Sequence, residues 1–128
     1  MVQTHNICFN GESFVASDNF LRRIPPWHLK GSGQISSAAF QNDDGTTSFS
    51  TNWMKLSSVE DTLRNYPHFG VASISAKLCW ELAQEIQWTP VNDNVAHCDI
   101  VGHKTESISK KFRNGAEYLV LPKKINQV

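Results

Sequence analysis

A chain of 128 residues that is 40% hydrophobic and 19% charged is long enough to bury a core without disulfide staples and too apolar to be disordered. Lys+Arg and Asp+Glu balance at 12 each, which excludes the basic whole-domain signature of most nucleic-acid binders. No apolar run approaches a membrane span and no basic-then-apolar leader is visible, so the expectation is a single-domain cytoplasmic protein, residues 1–128, with 1–8 and 122–128 frayed.

The balanced charge is unevenly spread. Residues 1–100 carry six Lys/Arg against ten Asp/Glu, and residues 101–128 carry six against two. The basic end could meet phosphates or an acidic partner, or be a solvated surface. Cys8, Cys79 and Cys98 show no C-x-x-C spacing, so they read as reduced, buried small hydrophobes.

Residues 1–20 read as irregular to strand-like, with a turn at Asn10-Gly11. Leu21-Arg22-Arg23-Ile24 reads as a short strand or a helical turn, ended by Pro25-Pro26. Gly31-Ser32-Gly33 is a loop. Ile35 to Phe40 reads as a strand, or as the entry to one, and Asn42-Asp43-Asp44-Gly45 as a turn into a β-prone run over 46–52, the whole resembling a hairpin. Ser57 with Glu60, or Ser58 with Asp61, has capping-box spacing for a short helix stopped at Asn65-Tyr66-Pro67.

Gly70-Val71-Ala72 begins a strand. Ser73 or Ser75 then caps the main helix, expected over about 74–87, with Leu78, Cys79, Leu82, Ala83 and Ile86 on its apolar face. Val91-Asn92-Asp93-Asn94 turns the chain into a strand through His97. Thr105 caps a last helix of about two turns that stops at Asn114-Gly115, and 117–121 forms a final strand. These elements mix without regular alternation. The fold class is therefore α+β: mainly an antiparallel sheet packed on the main helix, with one or two short helices.

Chemistry concentrates in Val95–His103. Strand alternation puts His97 and Asp99 on one face and Cys98 and Ile100 on the other. Such a pair could position a proton, or be a buried His satisfied by its neighbour. A metal would need a further ligand such as Cys79, His28 or His68, and the spacing fits no metal motif, so no metal or cofactor is expected. His103-Lys104-Thr105 has the His-x-Thr form of two-histidine phosphoesterases, which need two such motifs where this chain has one.

Arg22 and Arg23 should point to opposite sides of an extended segment, so at most one reaches a given pocket. Trp27 could stack a base or pack in the core beside the prolines, and His28 could donate a hydrogen bond. Cys79 in mid-helix and Cys98 among apolar neighbours are placed for packing rather than catalysis.

Leu21-Arg22-Arg23-Ile24-Pro25, Ile35-Ser36-Ser37-Ala38-Ala39-Phe40, Thr51-Asn52-Trp53, Gly70-Val71-Ala72 and Asn94-Val95-Ala96-His97 together resemble, over residues 21–103, a group of small uncharacterised bacterial proteins. The resemblance implies a bacterial, intracellular accessory protein and assigns no catalytic residue.

Two functional expectations follow. The first is a binding or accessory module acting through Arg22, Arg23, Trp27, His28 and His103 on another protein or a nucleotide-like ligand, with nucleic acid a weaker alternative and no membrane. The second is an enzyme of phosphoryl or phosphodiester chemistry, with His97 as base, Asp99 as its orienter and Arg22 or Arg23 stabilising negative charge. Convergence of His97, an Arg and a second polar group within hydrogen-bond reach in one cleft separates the two.

Overall fold

The computed structural model describes residues 13–124. Cys8, the expected Asn10-Gly11 turn, the expected fraying of 1–8 and residues 125–128 of the tail lie outside the described residues. Strands β1 (Asn19–Ile24), β2 (Ser48–Trp53), β3 (Gly70–Ser75), β4 (Glu85–Trp88), β5 (His97–Val101) and β6 (Glu117–Val120) form one sheet in the order β4-β5-β2-β1-β3-β6. Every neighbouring pair is antiparallel. Helices α1 (Val59–Leu63), α2 (Ala76–Glu81) and α3 (Glu106–Gly115) complete an α+β architecture. Among the described residues no helix is long and apolar enough to cross a membrane.

Local chemistry starts the helices where expected. Ser58, Ser75 and Thr105 each accept, through the side-chain oxygen, the backbone N–H three residues on, at 3.0, 3.0 and 3.1 Å. Each cap satisfies an amide that the first helical turn leaves unpaired.

Alternation sorts the strands into two faces. Phe20 and Ile24, Phe49 and Trp53, Ile74, Ile86, Cys98 and Ile100 share the core face. Phe112 of α3, Cys79 of α2 and Phe40 close over it. Phe112 lies 6.1 Å from Phe40 and 5.4 Å from Phe49 between ring centroids. Cys79 and Cys98 are free and fully buried, and burial pushes both thiols up to about 12. Inert packing thiols are what their positions called for.

Three expectations are corrected. Ile35 to Phe40 is not a strand. Ser37–Phe40 is a 3-10 helix, begun by Ser36, whose side chain accepts the Ala38 N–H. Turning there drops Phe40 into the core, and β2 pairs with β1 and β5 instead of forming a 35–52 hairpin.

The main helix does not run over 74–87. It stops at Glu81, because Ala83 takes a left-handed conformation (φ 60°) and Gln84 N–H returns to Cys79 O. That conformation closes helices but suits glycine better than alanine. Glu-Ile-Gln-Trp then alternates as β4, with Ile86 opposite Ile100 of β5. Ile86 fitted a helical row and a strand face equally well, and pairing with β5 decided between them. Leu78 and Leu82 therefore share no helical face with Ile86; they are half-buried, packed against the core. The longest helix is α3, whose 10 residues make about three turns rather than two.

Two features of the sheet position the site. β1 and β2 pair only at Phe20–Trp53 and Leu21–Asn52. Beyond that point the strands splay, and Arg22 Nη1 donates to Ser50 O at 2.9 Å in place of a backbone amide. At the other end, β6 packs so tightly on β3 that a Cβ on Gly70 would fall 2.4 Å from Val120 O. That approach carries the chain past Phe69, where Lys123 N–H donates to His68 O.

Candidate functional site

On the face opposite the core, α1 lies over β1 and β3. The β4–β5–β2 half carries a polar row: Gln87, His97, Asp99, Ser48, Ser50 and Asn52. Between α1 with its following turn and the 92–95 loop opens a polar cleft of about 520 Å³. Its lining includes Arg23, Asn52, Arg64, Asn65, Tyr66 and Asn92.

The cleft is organised around Asn52 and Arg23. Asn52 is buried; its Nδ2 donates to Thr62 Oγ1 at 3.0 Å, and its Oδ1 accepts from Asn94 Nδ2 at 2.8 Å. One amide thus ties α1 to the 92–95 loop and sets the cleft's width. Arg23 Nε donates to Thr62 O at 2.7 Å, and the guanidinium carbon sits 3.9 Å from the centroid of the Tyr66 ring. Burial lowers its pKa, yet a guanidinium stays charged. Carbonyl and ring together hold a planar cation in one pose beside an open cleft.

The two arginines do point to opposite sides. Arg22 is spent on structure: Nε donates to Ala39 O at 3.1 Å, Nη1 to Ser50 O, Nη2 reaches Asp43 at 3.5 Å, and the group lies 4.7 Å over Phe49.

His97 does not touch Asp99 directly. Its Nδ1 lies 2.9 Å from Thr89 O and 3.0 Å from Thr89 Oγ1, and that hydroxyl donates to Asp99 Oδ2 at 3.0 Å. Ser48 Oγ donates to the other Asp99 oxygen at 3.3 Å. A carbonyl only accepts, so Nδ1 carries the proton and Nε2 of the neutral ring is the acceptor. Thr89, rather than Asp99, orients the imidazole. His97 shares with Arg22, Arg23 and Asn52 a narrow recess of about 40 Å³, next to the main cleft, which also contains Arg23 and Asn52.

The remaining expected residues scatter. His103 is exposed beyond the far end of β5, where its carbonyl accepts from Gln84 Nε2 at 3.0 Å. His28 is half-buried in the 26–28 turn, its pKa lowered by burial and then by Arg22. Trp27 is not a core residue; it is 70% exposed, edge-to-face against Phe69 at 5.7 Å. Among the described residues no three His, Cys, Asp or Glu side chains gather as a metal would need. Sequence reasoning missed Asn52, Thr62, Tyr66 and Thr89: Asn52 and Thr89 meet their partners through strand pairing, and Thr62 and Tyr66 through the docking of α1 and its following turn on β1.

It also missed Lys104, 6% exposed, whose Nζ donates to Ile100 O at 2.9 Å and Gly102 O at 3.0 Å beneath the Phe49 ring. Burial pulls its pKa from 10.5 down to about 8. Between pH 8 and 10.5 the unfolded chain therefore binds the extra proton, so this group makes stability rise with pH; below pH 8 the penalty is constant. The buried thiols and Tyr118, raised to about 12, act in the opposite sense above pH 9 to 10. Comparison with Lys104→Met isolates the lysine. From pH 7 to 9.5, wild type should gain about 1–2 kcal/mol on the variant in urea titrations. A constant difference would contradict a neutralised lysine.

Comparison with protein-family models, curated proteins and solved structures finds no match for this chain.

Proposed function

We propose that this chain is a bacterial cytoplasmic binding module, an accessory of a larger system, that takes a small nucleotide-like ligand in the cleft between α1 and the 92–95 loop. The observation that carries the reading is Arg23, tethered to Thr62 O and seated over Tyr66 in a polar cleft of about 520 Å³. That volume lies in the range of small-molecule sites. A guanidinium already fixed loses little freedom on gripping a phosphate, and Asn65 and Asn92 offer amides to a base edge. Equilibrium dialysis with AMP tests it. Arg23→Ala should weaken binding tenfold or more, while Arg113→Ala on α3 leaves it unchanged. Equal affinities in all three proteins would remove the cleft from consideration.

The Thr89–His97 arrangement supports a second reading, phosphodiester hydrolysis with His97 Nε2 as the base and Arg23 neutralising the phosphate. On that reading, His97→Gln keeps the melting temperature and abolishes turnover of bis(4-nitrophenyl) phosphate. No turnover by wild type between pH 5 and 9 rejects it. A loss of about 1–3 kcal/mol in the variant's stability marks His97 as structural.

A further inference from the structure

We propose that the row Trp27–Phe69–Tyr66, running into the cleft at Arg23, is a stacking platform for a short stretch of single-stranded nucleic acid. The inference rests on the nucleotide-like reading of the cleft and extends it from one nucleotide to several.

Four aromatic or cationic groups follow one another in contact. Trp27 meets Phe69 at 5.7 Å and 84°, Phe69 meets Tyr66 at 5.1 Å, and Arg23 lies 3.9 Å over Tyr66. Edge-to-face contact cannot cover both faces of the indole, and Trp27 is 70% exposed, so at least one face is open to a base. Trp53 is 1% exposed, and Trp80 and Trp88 are half-buried with the core, so Trp27 stands apart from the other three. Pro25 and Pro26 fix the backbone that presents it. The ring is therefore held against Phe69 with most of its surface in water.

Charge along the row is balanced at the cleft end, and two exposed lysines add cations beside the aromatic end. Arg23 and Arg64 line the cleft end, and Lys123, exposed, is held beside His68 by its backbone bond. Lys124 follows it, also exposed. Asp61 and Asp93 also line the cleft; Asp61 is paired with Arg64. Rings that accept any base face, flanked by cations spaced along a backbone, are how single strands are held without duplex readout. A duplex hides its base faces, so this surface discriminates against it. The Asn65 and Asn92 amides at the end of the row favour a polar strand over a lipid surface.

The test is fluorescence anisotropy of labelled ten-residue oligouridylate and oligothymidylate, at 50 and 200 mM salt, beside a ten-base-pair duplex, AMP and anionic phosphatidylserine vesicles. Wild type should bind single strands more tightly than AMP or duplex, with a salt slope of about −2 for three phosphate contacts. Trp27→Ala should weaken oligonucleotide binding about 10- to 100-fold and leave AMP affinity unchanged, while Trp27→Phe retains most of it. Circular dichroism melts check that both variants fold as wild type does. Oligonucleotide bound no more tightly than AMP, duplex bound as well as single strand, or Trp27→Ala equal to wild type each overturns the platform. AMP binding alone leaves the cleft reading standing without the platform. Binding of neither removes both, and vesicle binding without oligonucleotide binding assigns the row to a membrane surface instead.

Discussion

Arg22→Met should destabilise the protein by about 3–5 kcal/mol, the largest loss expected of any polar substitution here. The methionine restores apolar volume over Phe49 but donates no hydrogen bond. Ala39 O and Ser50 O then face a part-buried gap where β1 and β2 splay, each having lost a charged donor. An unpaired carbonyl costs about 1–3 kcal/mol, and two account for most of the loss. The Asp43 contact adds little, since its 3.5 Å separation and the 43% exposure of the carboxylate let water screen it. Arg22→Lys should recover only part, because a point cation cannot donate in both directions at once. Urea titrations measure this, with an unchanged slope confirming that the native state alone has altered. A loss under 1 kcal/mol for Arg22→Met would mean that the two strands close without it.

Phe112→Ala should cost about 3–5 kcal/mol, for a different reason. The ring is fully buried, stacked on Phe40 and edge-on to Phe49. It is the apolar contact through which α3 holds the 37–40 turn against the sheet, beside the hydrogen bonds from Ser109 to Phe40 O and from Ser37 to Glu106. Truncation removes transfer free energy and leaves a cavity walled by two aromatic rings that cannot collapse into it. Phe112→Leu should cost only about 1–2 kcal/mol, because most of the volume remains. If alanine and leucine cost the same, the cluster is looser than the ring distances require.

What could be read from the chain was what local chemistry decides. The caps at Ser58, Ser75 and Thr105 depend on residues three apart, so their spacing announced them. Pro25-Pro26 ended β1 for reasons internal to proline. The two segments read wrongly were decided at a distance. Ile35 to Phe40 has apolar and small residues that suit a strand or a turn, and Phe40 meeting Phe112, far along the chain, selected the turn. Residues 85–88 satisfied a helical row and a strand alternation together, and hydrogen bonding to β5 selected the strand.

The site divides in the same way. His97, Asp99 and Arg23 were visible because their chemistry is unusual wherever it occurs. Asn52 was not: it faces His97 only because β2 and β5 register there, 45 residues apart in the chain. Thr89 reaches His97 only through the β4–β5 pairing. Trp27 could be placed neither in the core nor outside it, since proline neighbours are compatible with both. His103, adjacent in sequence to the His97 strand, lies at its wrong end, a separation that a five-residue strand imposes.

A nucleotide seated in the cleft floored by Arg23 and Asn52 should leave its footprint on the surrounding backbone when ¹⁵N-labelled protein is titrated with AMP and the amide shifts are followed. Saturable shifts are expected at residue 23, residue 52, residues 64–66 and residues 92–95, with α3 and the 102–105 turn unmoved. Shifts confined to α3 or the basic residues after 104, or none at millimolar AMP, would rule the cleft out as the nucleotide site.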